Sequence, residues 1–368
     1  MAQRAEMKVM APVVALDYTT GSWLKAVPRR RTEGALEVLH PRWMYVPGTG
    51  AVTALLLFAE LLGPVRRLRR EFPFEVIDAH FGYPEGIAAA LLAMVTGTPF
   101  SITLRGAELL HSRYRLRRWW MRWSMRRAQR VITVSEELRR LAISLGVAEE
   151  DTCVIPNGLD SDIYYRRDRA AMRRKHGLCS DKKLILTAGH LIELKGHHRA
   201  VEALAQLRAM GVEADLLIAG GNPGPGLRSH EPHIRQAIEA LGLQGQVRLL
   251  GHVPAGTLAE LMCAADLFCL ASSREGWPNV VQEALGCGTP VVATRVGAVP
   301  EILTSPDLGL VVEPGDAGAL AKGWKIALER DWDTERITSW ARSRTWSHVA
   351  GEVLEQMRHI VAAARKTI

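Results

Sequence analysis

Two carboxylates eight positions apart, Glu275 and Glu283, lie in the stretch Ser273-Arg274-Glu275-Gly276-Trp277-Pro278-Asn279-Val280-Val281-Gln282-Glu283-Ala284. An ionised carboxylate accepts several hydrogen bonds at once, which suits the paired hydroxyls of a sugar. The apolar run before them, Asp266-Leu267-Phe268-Cys269-Leu270-Ala271, reads as a buried strand. Gly276, Pro278 and Asn279 break that run, and Val280 to Leu285 reads as the opening turns of a helix. Glu275 therefore falls on the loop at the carboxyl end of a strand, where open α/β sheets bind ligands. The free N–H groups of the helix start, at Gly276, Asn279 and Val280, suit a phosphate, and Glu283 follows about one turn further in. Such a pair can hold a ribose diol with one carboxylate and face a second polyol with the other.

The elements that must position these groups form two α/β halves. In the first, Glu75 to His80 reads as a strand, Pro84-Glu85-Gly86 opens an alanine-rich helix through Leu92, and Phe100 to Leu104 is a strand ending at Arg105-Gly106. Arg130 to Val134 is a further strand, and Ser135 caps a helix through Leu145. The second half follows Asn157-Gly158-Leu159-Asp160. Strands are expected at Lys183–Thr187, Ala214–Ala219 and Val247–Leu250, with helices at His198–Met210, His233–Leu241 and Thr257–Ala264. Strands alternating with helices predict parallel sheets.

A chain of 368 residues suggests two domains with ample cores. With 23% charged and 48% hydrophobic residues it is neither disordered nor fibrous. No apolar run reaches the roughly 20 residues that span a bilayer, and Val52 to Leu62 reads as a core helix. The first residues lack the long apolar centre of a signal peptide, so a cytoplasmic protein is expected. Cys153, Cys179, Cys263, Cys269 and Cys287 show no metal-binding spacing and read as reduced core thiols. Of the net charge of +8, residues 1–160 carry +6, from 22 Lys/Arg against 16 Asp/Glu.

Downstream of the two carboxylates stand Gly286-Cys287-Gly288-Thr289-Pro290-Val291-Val292-Ala293-Thr294 and Val296-Gly297-Ala298-Val299-Pro300-Glu301. In this order and spacing the chain resembles the retaining nucleotide-sugar glycosyltransferases of family 4, whose mark is a Glu, seven residues and a second Glu. The resemblance runs from about Phe74 to the end, roughly four fifths of the chain. It implies the GT-B fold: α/β, with two doubly wound, Rossmann-like parallel-sheet domains facing a central cleft. Residues 1–160 with a crossover helix at 347–368 would form the acceptor-side domain, and 161–346 the nucleotide-sugar domain.

The same resemblance implies roles. Glu283 would hold ribose and Glu275 the sugar hydroxyls, while Lys195 would neutralise the leaving diphosphate. His190 stands where the family has an arginine, so leaving-group stabilisation would weaken or depend on pH. Gly251 and His252 match the loop beside the nucleotide base. Arg105 stands where the family commonly places a histidine facing the transferred sugar. It would contact donor sugar, diphosphate or an acidic acceptor, with a plain structural salt bridge equally open. Glu301 is expected to pin its loop, and Asn157 and Asp160 to be architectural. Gly297-Ala298 replaces a frequent pair of glycines. The donor is a substrate; no cofactor and no metal are expected. The family also opens with a strand, a Gly-rich turn and a long helix. Residues 1–10 contain no glycine, and Ala11 to Val14 reads as the end of a second strand, so that first unit is expected to be missing or rebuilt.

The expected partners are a nucleotide sugar and a surface-polysaccharide or lipid-linked glycan acceptor. Arg113 to Arg130 adds a third candidate, with eight arginines and no acid. At helical spacing Leu116, Trp119, Trp120 and Trp123 share one arc, Met121, Met125 and Ala128 a core-facing second, and Arg115, Arg118, Arg122 and Arg126 a third. That pattern suits an anionic membrane surface, and equally a solvated basic face. Nucleic acid is not an expected partner. A GT-B sugar-nucleotide epimerase and a non-catalytic nucleotide-sugar scaffold are the alternatives. A dinucleotide oxidoreductase fits poorly, because Gly220-Gly221-Asn222-Pro223-Gly224 lacks the GxGxxG pattern.

Overall fold

The computed structural model describes residues 5–17, 22–23, 27–34, 36–44, 50, 52–179, 181–224 and 227–366. The chain divides into two units, Met1–Pro156 with Ser347–Ile368, and Asn157–Trp346. Asn157 to Asp160 thus belong with the second unit. Leu159 N–H donates to the Arg344 carbonyl and Trp346 N–H to that of Leu159, which ties this segment to the unit's end.

The first unit opens with short strands, β1 (Lys8–Met10), β2 (Val13–Val14), β3 (Leu16–Asp17), β4 (Ser22–Trp23), β5 (Arg30–Glu33), β6 (Leu36–Leu39) and β7 (Arg42–Trp43). β1 pairs parallel with β6, and β2 parallel with β7. Ala11, Val13 and Ala15 N–H groups continue that ladder past Pro12, which has no N–H to give. Residues 11–14 therefore hold a separate short strand rather than only the tail of one. α1 (Thr53–Glu71) follows and buries Leu57, Leu61 and Val65 against Ala88 and Leu92, as the core-helix reading expects.

The main sheet of this unit comprises β8 (Ile77–His80), β9 (Phe100–Leu104), β10 (Arg130–Thr133) and β11 (Thr152–Val154), all parallel in the order β11-β10-β9-β8. β9 is buried along its whole length, as a central parallel strand covered on both faces must be. Around it lie α2 (Glu85–Thr96), α3 (Glu108–His111), α4 (Arg115–Met125) and α5 (Glu136–Ser144), whose first turn is capped by the Ser135 hydroxyl. α2 runs four residues beyond Leu92 because Gly97, at φ 64°, supplies the left-handed terminus.

The second unit holds α6 (Arg169–Lys175), β12 (Lys183–Ala188), α7 (His197–Ala209), β13 (Ala214–Ala219), α8 (Glu231–Ala240), β14 (Val247–Gly251), α9 (Ala255–Ala264) and β15 (Leu267–Leu270). It continues through α10 (Asn279–Gly286), β16 (Val291–Thr294), α11 (Val299–Ile302), β17 (Gly309–Val312), α12 (Ala317–Glu329) and α13 (Thr334–Arg342). Its six strands form one parallel sheet in the order β14-β13-β12-β15-β16-β17. The chain winds outward from β12 in one direction and from β15 in the other, so the switch point lies between those two strands. Two apolar layers cover the sheet, one holding Phe268, Val281 and Leu285, the other Ile185, Leu204 and Trp324.

The last helix, α14 (Trp346–Lys366), places Val349, Met357 and Ile360 on Ile132 and Ile155 of the first unit's sheet. Among the described residues, no helix is long and apolar enough to cross a membrane.

Candidate active site

In the second unit the loops after β12, β15 and β16 meet at the switch point. Gly196 adopts φ 67° at the start of α7, and a Cβ there would strike the Ala271 carbonyl. Only glycine lets the 189–196 loop lie against the end of β15. Gly297, at φ 50°, makes the matching approach to the Glu275 carbonyl. Ser273 N–H donates to the Leu194 carbonyl at 2.9 Å, and Ala298 N–H to that of Gly276 at 3.0 Å. The Thr294 hydroxyl donates to the Ser272 carbonyl at 2.6 Å.

This framework brings together two of the residues singled out from the sequence. Lys195 Nζ stands 2.7 Å from Glu275 Oε1, and the Ser272 hydroxyl donates to the same oxygen at 2.6 Å. The pair is largely buried, and it presents a cation and a carboxylate at the point where an open sheet receives ligand. Gly276, Asn279 and Val280 lie beside it. No side chain caps α10, so its leading N–H groups are directed at whatever occupies the site. Asn279 Oδ1 accepts from Asn157 Nδ2 at 2.8 Å, which anchors the helix start to the segment that opens this unit.

Glu283 sits deeper on α10 and has different partners. The hydroxyl of Tyr164, a buried residue, donates to its carboxyl, and Asp160 lies near. Burial pushes the Glu283 acid up to about 7, with Tyr164 opposing the shift and Asp160 adding to it. Neither Tyr164 nor Ser272 was legible from the sequence, since nothing local marks a tyrosine 119 positions upstream as the partner of a glutamate.

His190 is exposed on the loop after β12. His197, which sequence reading leaves outside α7, forms the helix's first residue. His197 is buried between the Thr187 hydroxyl at 3.5 Å and the Gly189 carbonyl at 3.1 Å. Burial lowers its imidazole to about 4, so it braces the loop as a neutral ring. Gly251 ends β14, two strands away from β12, and His252 follows it. Gly251 accepts from Gly220 N–H at 2.8 Å, and His252 is exposed beside Gly221.

Arg105 belongs to the first unit. Its Nη2 lies 2.9 Å from His80 Nδ1, and His80 Nε2 lies 3.2 Å from Asp78 Oδ2. Burial lowers the guanidinium's pKa, and Asp78 and Glu108 oppose that shift. Glu108, fully buried, accepts from the N–H groups of Gly82, Arg105 and Gly106 at 2.8, 3.2 and 2.8 Å. The Arg105 loop is thus tied down by a carboxylate that sequence reading passed over. The cysteines require one correction: all five are free, but Cys179 is exposed and Cys153 only half-buried. Among the described residues, no cluster of His, Cys, Asp and Glu could hold a metal ion.

A doubly wound second unit with a cation, a carboxylate and an open helix start at its switch point has the layout in which open α/β sheets receive ligands. Residues 168–344 match the model of the group 1 glycosyl transferases, and residues 1–158 that of the glycosyl transferase 4-like domain. The chain belongs to the glycosyltransferases of GT-B type. It is 28% identical over 266 residues to N-acetyl-alpha-D-glucosaminyl L-malate synthase of Bacillus anthracis, covering 71% of this chain and 67% of that one. It is 31% identical over 204 residues to D-inositol 3-phosphate glycosyltransferase of Geodermatophilus obscurus, covering 54% of this chain and 45% of that one. The match thus spans about half the length of that relative. Among solved structures, Anabaena HepE in complex with UDP superposes with a TM-score of 0.73 at 23% identity, over 88% of this chain and 86% of that one. At that identity the likeness speaks for the fold.

Proposed function

We propose that this glycosyltransferase belongs to family 4 and moves a sugar from a nucleotide-sugar donor to a surface-polysaccharide or lipid-linked glycan, with retention at the anomeric carbon. The observation that carries the reading is the Lys195–Glu275 pair beside the uncapped start of α10. A nucleotide sugar already contains its leaving group. Catalysis then consists of holding the donor and stabilising charge on the departing diphosphate and on the oxocarbenium-like sugar. Lys195 and the α10 amides serve the diphosphate, Glu275 the sugar hydroxyls, and Glu283 the ribose diol. In this reading the charge comes from Lys195 and the amides, without a metal. HepE has been crystallised with UDP-glucose, which supports a donor of that class.

A second reading concerns the acceptor alone. The relatives' names contain L-malate and inositol 3-phosphate, both anionic. Arg105, backed by His80 and Asp78, is the group in the first unit that suits a small anionic acceptor.

Calorimetry with a panel of nucleoside diphosphates tests the donor site. Glu283→Ala should lower affinity at least about tenfold, since hydrogen bonds to a charged group are worth roughly 1.5–3 kcal/mol. Unchanged binding in a folded variant would remove Glu283 from the site.

A further inference from the structure

α4 lies outside the donor site, and its outward face is chemically unusual. Met121, Ser124 and Met125 are buried and fix the orientation of the helix. Arg113, before the helix, and Arg115, Arg118, Arg122 and Arg126 along its flank are exposed, the last two passing beside Gly146. Among the described residues no acid forms an ion pair with any arginine between 113 and 130, although the neighbouring α5 satisfies Arg139 with Glu136 and Glu149. Three large apolar side chains stand among these charges, Tyr114 and Trp119 each 53% exposed and Leu116 51% exposed. Trp119, Trp120 and Trp123 form an edge-to-face ladder with centroids 4.9 and 5.5 Å apart, and the Arg127 guanidinium stacks on Trp123.

A face needed only for solubility gains nothing from an exposed tryptophan, leucine and tyrosine. An ion-pairing face would carry acids as well. Guanidinium groups interleaved with indole and phenol rings match the boundary of an anionic bilayer, where phosphates meet the first methylene groups. We propose that the outer face of α4, from Arg113 to Arg127, rests on an anionic membrane surface. This deepens the reading of a lipid-linked acceptor and rests on it only for purpose. The contact itself requires neither donor nor acceptor.

The full chain should co-sediment with phosphatidylglycerol-containing vesicles at low salt, should not do so with pure phosphatidylcholine, and should dissociate as salt rises. Replacing Arg115, Arg118, Arg122 and Arg126 with Gln should lower partitioning by roughly two to three powers of ten. The same four positions as Lys should retain most of the binding, which separates charge from misfolding. Leu116→Ala with Trp119→Ala should weaken binding on the order of tenfold or more even at low salt. Nucleotide binding by the fourfold Gln variant should match the parent. Vesicle binding indifferent to lipid charge, or retained by the Gln variant, overturns the proposal. So does a parent that ignores vesicles but binds single-stranded RNA through these arginines. A protein that binds vesicles as stated and no nucleotide would instead sink the donor-site reading and leave this one standing.

Discussion

Burial holds the Glu283 acid near 7, so at neutral pH this carboxyl is divided between its two forms. Only the ionised form is a pure acceptor for a ribose diol. Nucleotide affinity should therefore rise with pH through about 7 and level off above it. The Tyr164 hydroxyl favours the ionised form by donating to it, so Tyr164→Phe should move that midpoint upward by roughly one unit. Calorimetry from pH 6 to 9 reads this directly, and a profile unaltered by the substitution would detach Tyr164 from Glu283. Lys195 belongs to a different argument. Charge on the leaving diphosphate grows in the transition state, so Lys195→Ala should reduce turnover about 10²–10³-fold and donor affinity much less. Equal losses in both, measured by steady-state kinetics beside calorimetry, would show uniform ground-state binding instead.

At the scale of elements, the proposed donor site depends on how closely loops approach strand ends. Gly196 is the test. Its left-handed φ and its contact with the Ala271 carbonyl leave no room for a methyl group. Gly196→Ala should cost more than the roughly 1–3 kcal/mol of the left-handed backbone term, because the clash adds to it, and should displace Lys195 from Glu275. Gly177, at φ 59°, has nothing within 4 Å of a built Cβ, so Gly177→Ala carries the backbone term alone. Thermal unfolding should rank the two variants in that order, and nucleotide binding should fail only in the first. The same scale shows what periodicity can and cannot tell. It correctly separates the buried Met121 and Met125 of α4 from the exposed Arg115, Arg118, Arg122 and Arg126. It cannot say that Trp119 stands out while Trp120 and Trp123 are half-buried, because that depends on neighbouring side chains.

Taken whole, the two units are built to different standards. The second holds one continuous sheet of six parallel strands sealed by two apolar layers. In the first, the four-stranded β8–β11 sheet is separate from the short pairings of β1 to β7, strands of two to four residues. Opening free energy follows buried apolar contact and ladder length. Hydrogen exchange should thus be slowest in β12, β13, β15 and β16 and markedly faster in β1, β2 and β7. Equal protection in the two groups would contradict this ranking.

What this protein's sequence determines by itself is whatever is local. Apolar runs bounded by glycine and proline mark β9, β12, β13 and β15, and the spacing of Glu275, Glu283 and the segments after them marks the candidate site and the family. Periodicity and turn chemistry act over a few residues, so they can be read before anything folds. Tertiary structure alone decides the partners: Tyr164 for Glu283, Ser272 and Lys195 for Glu275, His80 and Asp78 behind Arg105, and Glu108 beneath its loop. Most of these contacts join residues tens of positions apart. Their geometry, and the burial that sets the Glu283 titration, arises only when the strands take their order in the sheet and the loops close over its end.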